Sequence, residues 1–450
     1  MLKVDHLAIV GGGFSGTLLA INLLRYGTMR VTLIEQRKDH LARGLAFGSA
    51  QADHVLNVRA GNMSAFPDQP GHFSDWLERH HVGTAQTFAT RQIYGEYLLA
   101  LLEDARRASS DRMEIILGRA IDMRVDTAEC QLTLDSGAKV DADMVVLAPG
   151  NLPPHRLAAF RHLNAPAYIN EPWSTHIADG LKDDDRILLL GSGLTAVDCA
   201  QSLDAAGFRG RIVALSRRGL LPHRHDMTDP FAPLRERPTG SCSTLVRSIR
   251  NRAAEVEWRN AVDEIRPFTQ DIWRAAAPDM RMRFLRHLRP YWDIHRHRVA
   301  PQVADRIGRM MNEGRLEILA GKIVAARASD GGVNVTWRPR GSASEVRMQC
   351  ARAINCTGPL SDLSAAADPL LGRLAASGLI RADAHAIGID VDQQNRAITL
   401  AGMAQDRVRV VGPMTRGAHW EIVAVPDIRR QTWNLARTLS GAHWVEAEGL

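Results

Sequence analysis

The chain has 450 residues, 45% hydrophobic and 24% charged, the composition of a soluble globular protein long enough to bury a large core and to divide into two or three domains. Its net charge of +6 suits an anionic ligand, but the basic residues are spread along the chain rather than run together, which argues against nucleic acid as a partner. No apolar run approaches the ~18 residues of a membrane span, and the five cysteines form no CxxC, so neither a membrane segment, a zinc cluster nor a disulfide-reductase dithiol is expected.

The first elements carry the strongest signal. Leu7 to Val10 is an apolar strand that breaks into Gly11-Gly12-Gly13-Phe14-Ser15-Gly16, Thr17 to Leu24 reads as an apolar helix, and a second strand, Val31 to Ile34, ends in Glu35. Gly11 permits the tight turn, Gly13 lets the backbone approach a pyrophosphate, and Gly16 lets helix and strand pack closely. The helix N-terminus offers free N–H groups to phosphates, and Glu35 suits a ribose hydroxyl. This reads as a dinucleotide-binding unit; the alternative is a glycine turn in an α/β domain that holds no nucleotide.

Residues 43–48, 54–58 and 63–67 alternate glycines and apolar residues, as expected of loops lying against a ligand. Helices follow over Phe73 to His80 and Tyr94 to Arg107, the second preceded by Arg91, which either meets a phosphate or substrate carboxylate or is a solvated or capping arginine. Short strands are predicted over Glu114 to Leu117, Met123 to Asp126 and Gln131 to Leu134. A buried strand, Asp143 to Leu147, then closes in Ala148-Pro149-Gly150.

The motif recurs. Arg186 to Leu190 enters Gly191-Ser192-Gly193-Leu194-Thr195-Ala196, a helix covers Val197 to Leu203, and the next strand, Arg211 to Leu215, ends in Ser216-Arg217-Arg218. Two guanidinium groups cannot accept from a 2′-hydroxyl but can clamp a 2′-phosphate, which favours NADPH over NADH; the alternative is that both arginines are merely exposed at a strand end.

From about 230 to 315 the pattern is helical, with helices over Val246 to Ala261, Thr269 to Ala276, Met280 to Leu288 and Val299 to Met311. This insert concentrates rings and cations, including Trp258, Tyr291, His295 and Arg298. They either line an anionic substrate pocket or belong to a helical insert with snorkelling arginines. The histidine spacing fits no metal site. Strands are then predicted over Leu316 to Ala320, Lys322 to Ala326, Val333 to Trp337 and Glu345 to Met348, and Arg352 to Ile354 leads into a second strand-end turn at Gly358. Val408 to Val411 runs into Gly412-Pro413, and a helix from about Pro426 to Leu439 carries Trp433, with Trp444 beyond it. These tryptophans are either core or interface, and the oligomeric state is not legible.

Two such motifs, each followed by a strand-end glycine turn, resemble the two-dinucleotide-binding-domain flavoproteins. Gly11 to Gly16, Gly44 to Gly48, Leu56-Asn57-Val58, Met63 to Pro67, Ser216 to Pro222 and Trp420 to Arg429 resemble, more narrowly, the bacterial FAD/NAD(P)-binding family, which includes NADPH-dependent amino-acid N-monooxygenases such as those acting on aspartate. The resemblance implies an α/β fold with two Rossmann-like domains and a helical insertion. Residues 1–165 and 346–450 would form the FAD-binding domain and residues 166–345 the NADPH-binding domain. Gly11, Gly13, Phe14, Ser15, Gly16, Glu35 and Gln36 would hold the adenylate and pyrophosphate half of FAD, with Asn57, Met63, Gly150, Gly358, Gly412 and Glu421 completing its site. Gly191, Ser192, Gly193, Thr195, Ser216, Arg217 and Arg218 would hold NADPH. Gly412 is followed by Pro413 where many such flavoproteins have Gly-Asp, so the ribityl contact stays unassigned. The FxGxxxHxxxW signature of Baeyer–Villiger enzymes is absent.

The expected activity is an NADPH-dependent flavin monooxygenase, with hydride passing to flavin and a C4a-hydroperoxide oxygenating a small substrate, most simply an amine nitrogen of an amino acid or similar anionic metabolite. The cofactor carries that chemistry, which explains why no nucleophile or paired-carboxylate constellation stands out. Arg91, Tyr291, His295 and Arg298 are the candidates for holding the substrate, with molecular oxygen as co-substrate and the cytoplasm as the location. The alternatives are a flavin-dependent NAD(P)H oxidoreductase and a non-catalytic flavin-binding sensor or scaffold.

Overall fold

The computed structural model describes residues 3–49, 51–164, 166–173, 176–226 and 234–442. Trp444 lies outside them. The chain forms two compact units. One comprises Met1–Ala52, Val58–Leu152 and Leu360–Leu450, and the other Asp53–Asn57 and Pro153–Pro359.

The first unit is built on a six-stranded sheet in the order Arg396–Ile398, Ala404–Val410, Met144–Leu147, His6–Val10, Arg30–Glu35, Met113–Leu117. All neighbours are parallel except the edge strand Arg396–Ile398. The central strands His6–Val10 and Met144–Leu147 are continuous apolar runs because a parallel sheet is covered on both faces. Helix Phe14–Tyr26 is buried along nearly its whole length, and helix Val425–Leu439 packs against it. The three-stranded antiparallel sheet Ala120–Val125, Cys130–Leu134, Lys139–Ala142 buries Met123, Leu132 and Leu134 in a core shared with Val145, Leu147, Val408 and Leu374.

The second unit has a seven-stranded sheet in the order Val346–Cys350, Gly332–Pro339, Leu316–Ser329, Arg211–Ser216, Arg186–Leu190, Arg352–Asn355, Tyr168–Ile169. Leu316–Ser329 runs parallel to Arg211–Ser216 and antiparallel to Gly332–Pro339, so it joins a Rossmann half to a β-meander. The helical insert follows the expected class but not the expected boundaries. Val246 to Ala261 is split into Cys242–Glu255 and Trp258–Asp263, because the Glu257 carboxylate accepts from the Arg259 N–H and starts a new helix. Helix Arg289–Arg296, which the sequence reading passes over, carries Pro290 in its first turn, where no N–H is needed.

Three further expectations are corrected. The strands predicted over Leu316 to Ala320 and Lys322 to Ala326 are one strand, Leu316–Ser329, with an irregularity between Ile323 and Ala325. Gly321 is there not to turn the chain but because a Cβ would stand 2.5 Å from the Trp337 ring. Residues 44–48 form a short helix rather than a loop. The domain boundaries fall after Leu152 and after Pro359 rather than at 165 and 345, since Val346–Cys350 and Arg352–Asn355 hydrogen-bond into the second sheet.

Trp433, 2% exposed, meets Tyr26 edge-on at 6.2 Å and donates Nε1–H to its hydroxyl at 2.9 Å. Trp433→Ala is expected to destabilise the first unit by about 3–5 kcal/mol. Trp433→Phe, which loses the hydrogen bond and part of the ring volume, is expected to cost about 2 kcal/mol. Urea unfolding monitored by circular dichroism measures both.

Candidate functional site

Each unit contains a glycine cradle made by the same local device. In the first, the strand His6–Val10 ends where the Gly11 N–H donates to the Ile34 carbonyl at 2.9 Å and the Ala148 N–H to the Val10 carbonyl at 2.8 Å. Gly11 has φ +105°, and a Cβ on it would overlap the Ala148 carbonyl oxygen; one on Gly16 would overlap the Gly11 carbonyl oxygen. Only hydrogen fits at either position. Gly13 is the extended N-cap of helix Phe14–Tyr26 and offers no side chain, which leaves the first N–H groups of the helix aimed outward. Gly13 also lies against Gly44, with a Cβ 3.1 Å from the Gly44 Cα. The 37–48 segment is thereby folded over the cradle, aided by Ala42, left-handed at φ +63° and fixed through its N–H to the Gly12 carbonyl at 2.8 Å.

Glu35 sits at the end of the second strand, 6% exposed. Its carboxylate accepts from the Gly12 N–H at 2.9 Å through one oxygen and from the Arg37 N–H at 3.0 Å through the other. These bonds orient the group and leave each oxygen a further lone pair, so the residues present fit the ribose and pyrophosphate of a dinucleotide. Gln36 is exposed beyond the strand, and Phe14 packs edge-on against Phe47 at 5.8 Å. Gly150, at φ +67°, would place a Cβ in open space, so only its backbone conformation requires glycine.

The C-terminal turn reaches this cradle. Gly412 has φ +84°, and a Cβ there would stand 2.5 Å from Ser15 Oγ. Its N–H donates to Gln431 Oε1 at 2.8 Å, while Gln431 Nε2 donates to Asn395 Oδ1 at 2.8 Å and to Thr415 Oγ1 at 3.0 Å. Sequence reasoning missed Gln431, a polar residue on the buried face of helix Val425–Leu439, three residues after Ile428 and four before Leu435. Met63 is buried, and Arg429 holds the loop beside it through the Ser64 carbonyl at 2.7 Å. Glu421 is buried with φ +66°, a left-handed conformation that costs a non-glycine residue roughly 1–2 kcal/mol.

The second cradle repeats the scheme. The Gly191 N–H donates to the Leu215 carbonyl at 2.9 Å and the Cys356 N–H to the Leu190 carbonyl at 3.1 Å. Gly191 has φ +127°, and its Cβ would stand 2.5 Å from the Cys356 carbonyl oxygen. Gly193 caps helix Leu194–Ala205 with open space where a Cβ would be, and Thr195 lies in the helix's first turn. Ser192 Oγ lies 2.5 Å from the Leu220 carbonyl oxygen and 2.8 Å from Ser216 Oγ, and Ser216 Oγ accepts from the Gly219 N–H at 2.9 Å. The strand-end loop carrying exposed Arg217 and half-buried Arg218 is therefore shaped by its own hydrogen bonds. These residues fit a phosphorylated adenosine.

Two residues expected beside the flavin, Asn57 and Gly358, belong to the second unit. The Asn57 carbonyl accepts from His225 at 2.8 Å, and Gly358 follows the strand Arg352–Asn355 that pairs with Arg186–Leu190. Of the four substrate candidates, Arg91 opens helix Arg91–Ala108 in the first unit, whereas Tyr291, His295 and Arg298 lie together in the second. Arg298 is 4% exposed. Its guanidinium donates to both Asp263 oxygens, at 3.1 and 2.7 Å, and to the His295 and Arg259 carbonyls. That commitment makes Arg298 a structural arginine. His295 Nδ1 lies 2.8 Å from the Tyr291 carbonyl oxygen, and its ring packs against His223 and Trp258. Burial, reinforced by His295, Arg259 and Arg298, pushes the His223 pKa below the ordinary histidine value.

The cysteines are thiols. Cys199 and Cys356, distant in sequence, bring their sulfurs to 3.7 Å beneath the second cradle; the hydrogen bond with Cys356 and burial hold Cys199 well above the usual thiol range. Burial raises Cys130 to about 11 and Cys350 to about 12. Among the described residues no group of three or more His, Cys, Asp or Glu is placed to hold a metal ion, and no helix is long and apolar enough to cross a membrane.

The class follows from this architecture: two glycine cradles on two parallel sheets define the two-dinucleotide-binding-domain flavoprotein fold. Residues 8–152 match the model of a family described as FAD-NAD(P)-binding. Among curated protein sequences none matches the chain. Solved structures resemble it along almost its full length. The ornithine hydroxylase of Pseudomonas aeruginosa in its reduced form matches at 16% identity and a TM-score of 0.66, covering 98% of this chain and 100% of the other. The L-lysine 6-monooxygenase of Pseudomonas syringae matches at 16% and 0.67 with the same coverage. The ornithine N-hydroxylase of Kutzneria sp. 744, solved with reduced FAD, NADP⁺ and L-ornithine, matches at 15% and 0.69, covering 98% and 99%. At these identities the likeness establishes the shared fold.

Arg298→Ala is expected to lower folding stability by about 2 kcal/mol, since Asp263 is partly exposed and its isolated charge is partly solvated. Chemical unfolding checks this. Unchanged stability accompanied by a raised KM for substrate would instead return Arg298 to the substrate. Glu35→Gln is expected to weaken FAD retention about tenfold or more, measured by fluorescence titration of the apoprotein.

Proposed function

We propose that the protein is an NADPH-dependent FAD monooxygenase that hydroxylates the nitrogen of a small amine, such as an amino acid. The observation that carries this reading is the contrast between two cradles of one design. One ends in a buried, backbone-held carboxylate, Glu35, and the other in Ser216-Arg217-Arg218. A carboxylate accepts from the free ribose hydroxyls of FAD's adenosine, whereas guanidinium groups complement the 2′-phosphate of NADPH.

The chemistry supplied by bound FAD is acceptance of hydride from NADPH and activation of O₂, one oxygen atom going to the amine nitrogen and the other to water. The chain's own residues bind and orient. Gly11, Gly13 and the N-terminus of helix Phe14–Tyr26 receive the FAD pyrophosphate, Glu35 its ribose, and Gly412, seated on Ser15, brings the C-terminal turn to the same cradle. Gly191, Gly193 and the N-terminus of helix Leu194–Ala205 receive the NADPH pyrophosphate. The choice of an amine rests on the likeness in fold, over 98% of the chain, to proteins described as ornithine and lysine hydroxylases. A reductase that relays electrons through a dithiol is not supported, because Cys199 and Cys356 are buried and Cys199 is held protonated.

Reduction under anaerobic conditions followed by exposure to O₂ tests the proposal. NADPH is expected to bleach the flavin absorbance, and with a matching amine NADPH consumption should equal formation of a product one oxygen atom heavier. Production of hydrogen peroxide alone with every amine tried would overturn the monooxygenase reading. Failure of NADPH to bleach the flavin would overturn the enzyme reading altogether. The double variant Arg217→Ala, Arg218→Ala is expected to reduce the preference for NADPH over NADH by about a hundredfold, near 3 kcal/mol for two charge-assisted contacts.

A further inference from the structure

Three segments of the second unit meet at one end of its sheet. Ser216, last in its strand, is in register with Ala320. A Cβ on Gly219 would stand 3.2 Å from the Ala320 Cβ, so the Ser216–Gly219 turn lies on that residue. Gly321 pairs with Pro339, and the next residue, Arg340, donates its N–H to the Ala320 carbonyl at 2.8 Å. The backbone of Arg340 is therefore fixed one strand away from the loop bearing Arg217 and Arg218. From the helical insert, Tyr291 reaches the same place: the Arg218 guanidinium carbon lies 5.4 Å from its ring centroid, and the charges of Arg218 and Arg340 both act on its hydroxyl. Those two cations hold the Tyr291 pKa below the ordinary phenol value.

The convergence is unbalanced in charge. Among the described residues none of Arg217, Arg218 and Arg340 forms an ion pair with a carboxylate, whereas Arg338, two residues before Arg340, is paired with Glu345 at 2.9 Å. Arg381 and Arg396 are likewise paired, with Asp390 and Asp392. Like charges gathered at a strand end repel one another unless an anion comes between them.

Resting on the NADPH reading above, we infer that Arg340 is a third guanidinium of the pocket for the adenosine 2′-phosphate, and that Tyr291 is its wall. Tyr291 then belongs to coenzyme selection rather than to the amine substrate. The role of the insert helix Arg289–Arg296 in this pocket is to set the Tyr291 ring against the Arg218 guanidinium, while the strand pairing fixes Arg340 across from it. The 2′-phosphate accepts from the guanidinium groups, and its charge offsets theirs.

Binding of 2′,5′-ADP and of 5′-AMP to the FAD-loaded protein, measured by isothermal titration calorimetry, separates the phosphate from the rest of the nucleotide. Arg340→Ala is expected to raise the Kd of 2′,5′-ADP about tenfold and to change that of 5′-AMP by less than about twofold, with Arg340→Lys intermediate. Tyr291→Phe should shift 2′,5′-ADP in the same direction by about threefold. The ratio of KM values for NADPH and NADH should move with these constants. If Arg340→Ala weakens both nucleotides equally or neither, while the Arg217, Arg218 double variant abolishes the discrimination, the inference fails and the NADPH reading stands. If the unmodified protein binds 2′,5′-ADP no more tightly than 5′-AMP, both fall.

Discussion

Both cradles depend on a backbone carbonyl that approaches a glycine closer than any side chain would permit. The Ala148 oxygen lies over Gly11 and the Cys356 oxygen over Gly191. Each carbonyl belongs to the residue that follows the neighbouring parallel strand, so the turn after the first strand is gripped by the end of the next one. With the turn held in this way, the helix that follows begins without a side-chain cap, and its first N–H groups point away from the protein. A ligand phosphate would complete the helix. The steric demand at two glycines thus becomes an electrostatic site, with no charged residue needed for the pyrophosphate itself.

What distinguishes the two cradles lies one strand further on. Glu35 is withdrawn from solvent and fully oriented by two N–H groups, so it can receive a neutral hydroxyl without competing water. Arg217 and Arg340 are exposed, as suits groups that meet a dianion arriving from solvent and must release it when the coenzyme leaves. On the proposed assignment, one cradle would retain its nucleotide and the other would exchange it. That asymmetry matches a resident flavin and a consumable coenzyme.

The sequence made the glycine motifs, Glu35 and Arg217–Arg218 legible because each is a local demand: a positive φ, a close approach, a charge at a strand end. Features set by pairing across the sheet were not. Gly321 falls between two strands predicted from the sequence, but the strand is continuous there and the glycine is required by the Trp337 ring on the adjacent strand. Gly358 resembles Gly150 in its local pattern, and only strand pairing shows that it follows a strand of the other sheet. Arg298 carries no mark of its bidentate pairing with Asp263, and Arg340 looks like any arginine in a polar turn until the register places it against Ala320, one strand away from Ser216. Gln431 and the neighbouring sulfurs of Cys199 and Cys356 were illegible for the same reason, since their partners are remote in sequence.

The interrupted connectivity of the first unit sets the order in which it can be completed during synthesis. Strand Met144–Leu147 pairs on one side with His6–Val10, but its other neighbour, Ala404–Val410, comes from beyond the entire second unit. Until that strand leaves the ribosome, the nascent sheet exposes an unpaired apolar edge, and helix Phe14–Tyr26 lacks the helix Val425–Leu439 that covers it. The second unit, started later, holds all the strands of its own sheet and can close first. The second unit is therefore free to close before the first, which must wait for strand Ala404–Val410 and helix Val425–Leu439.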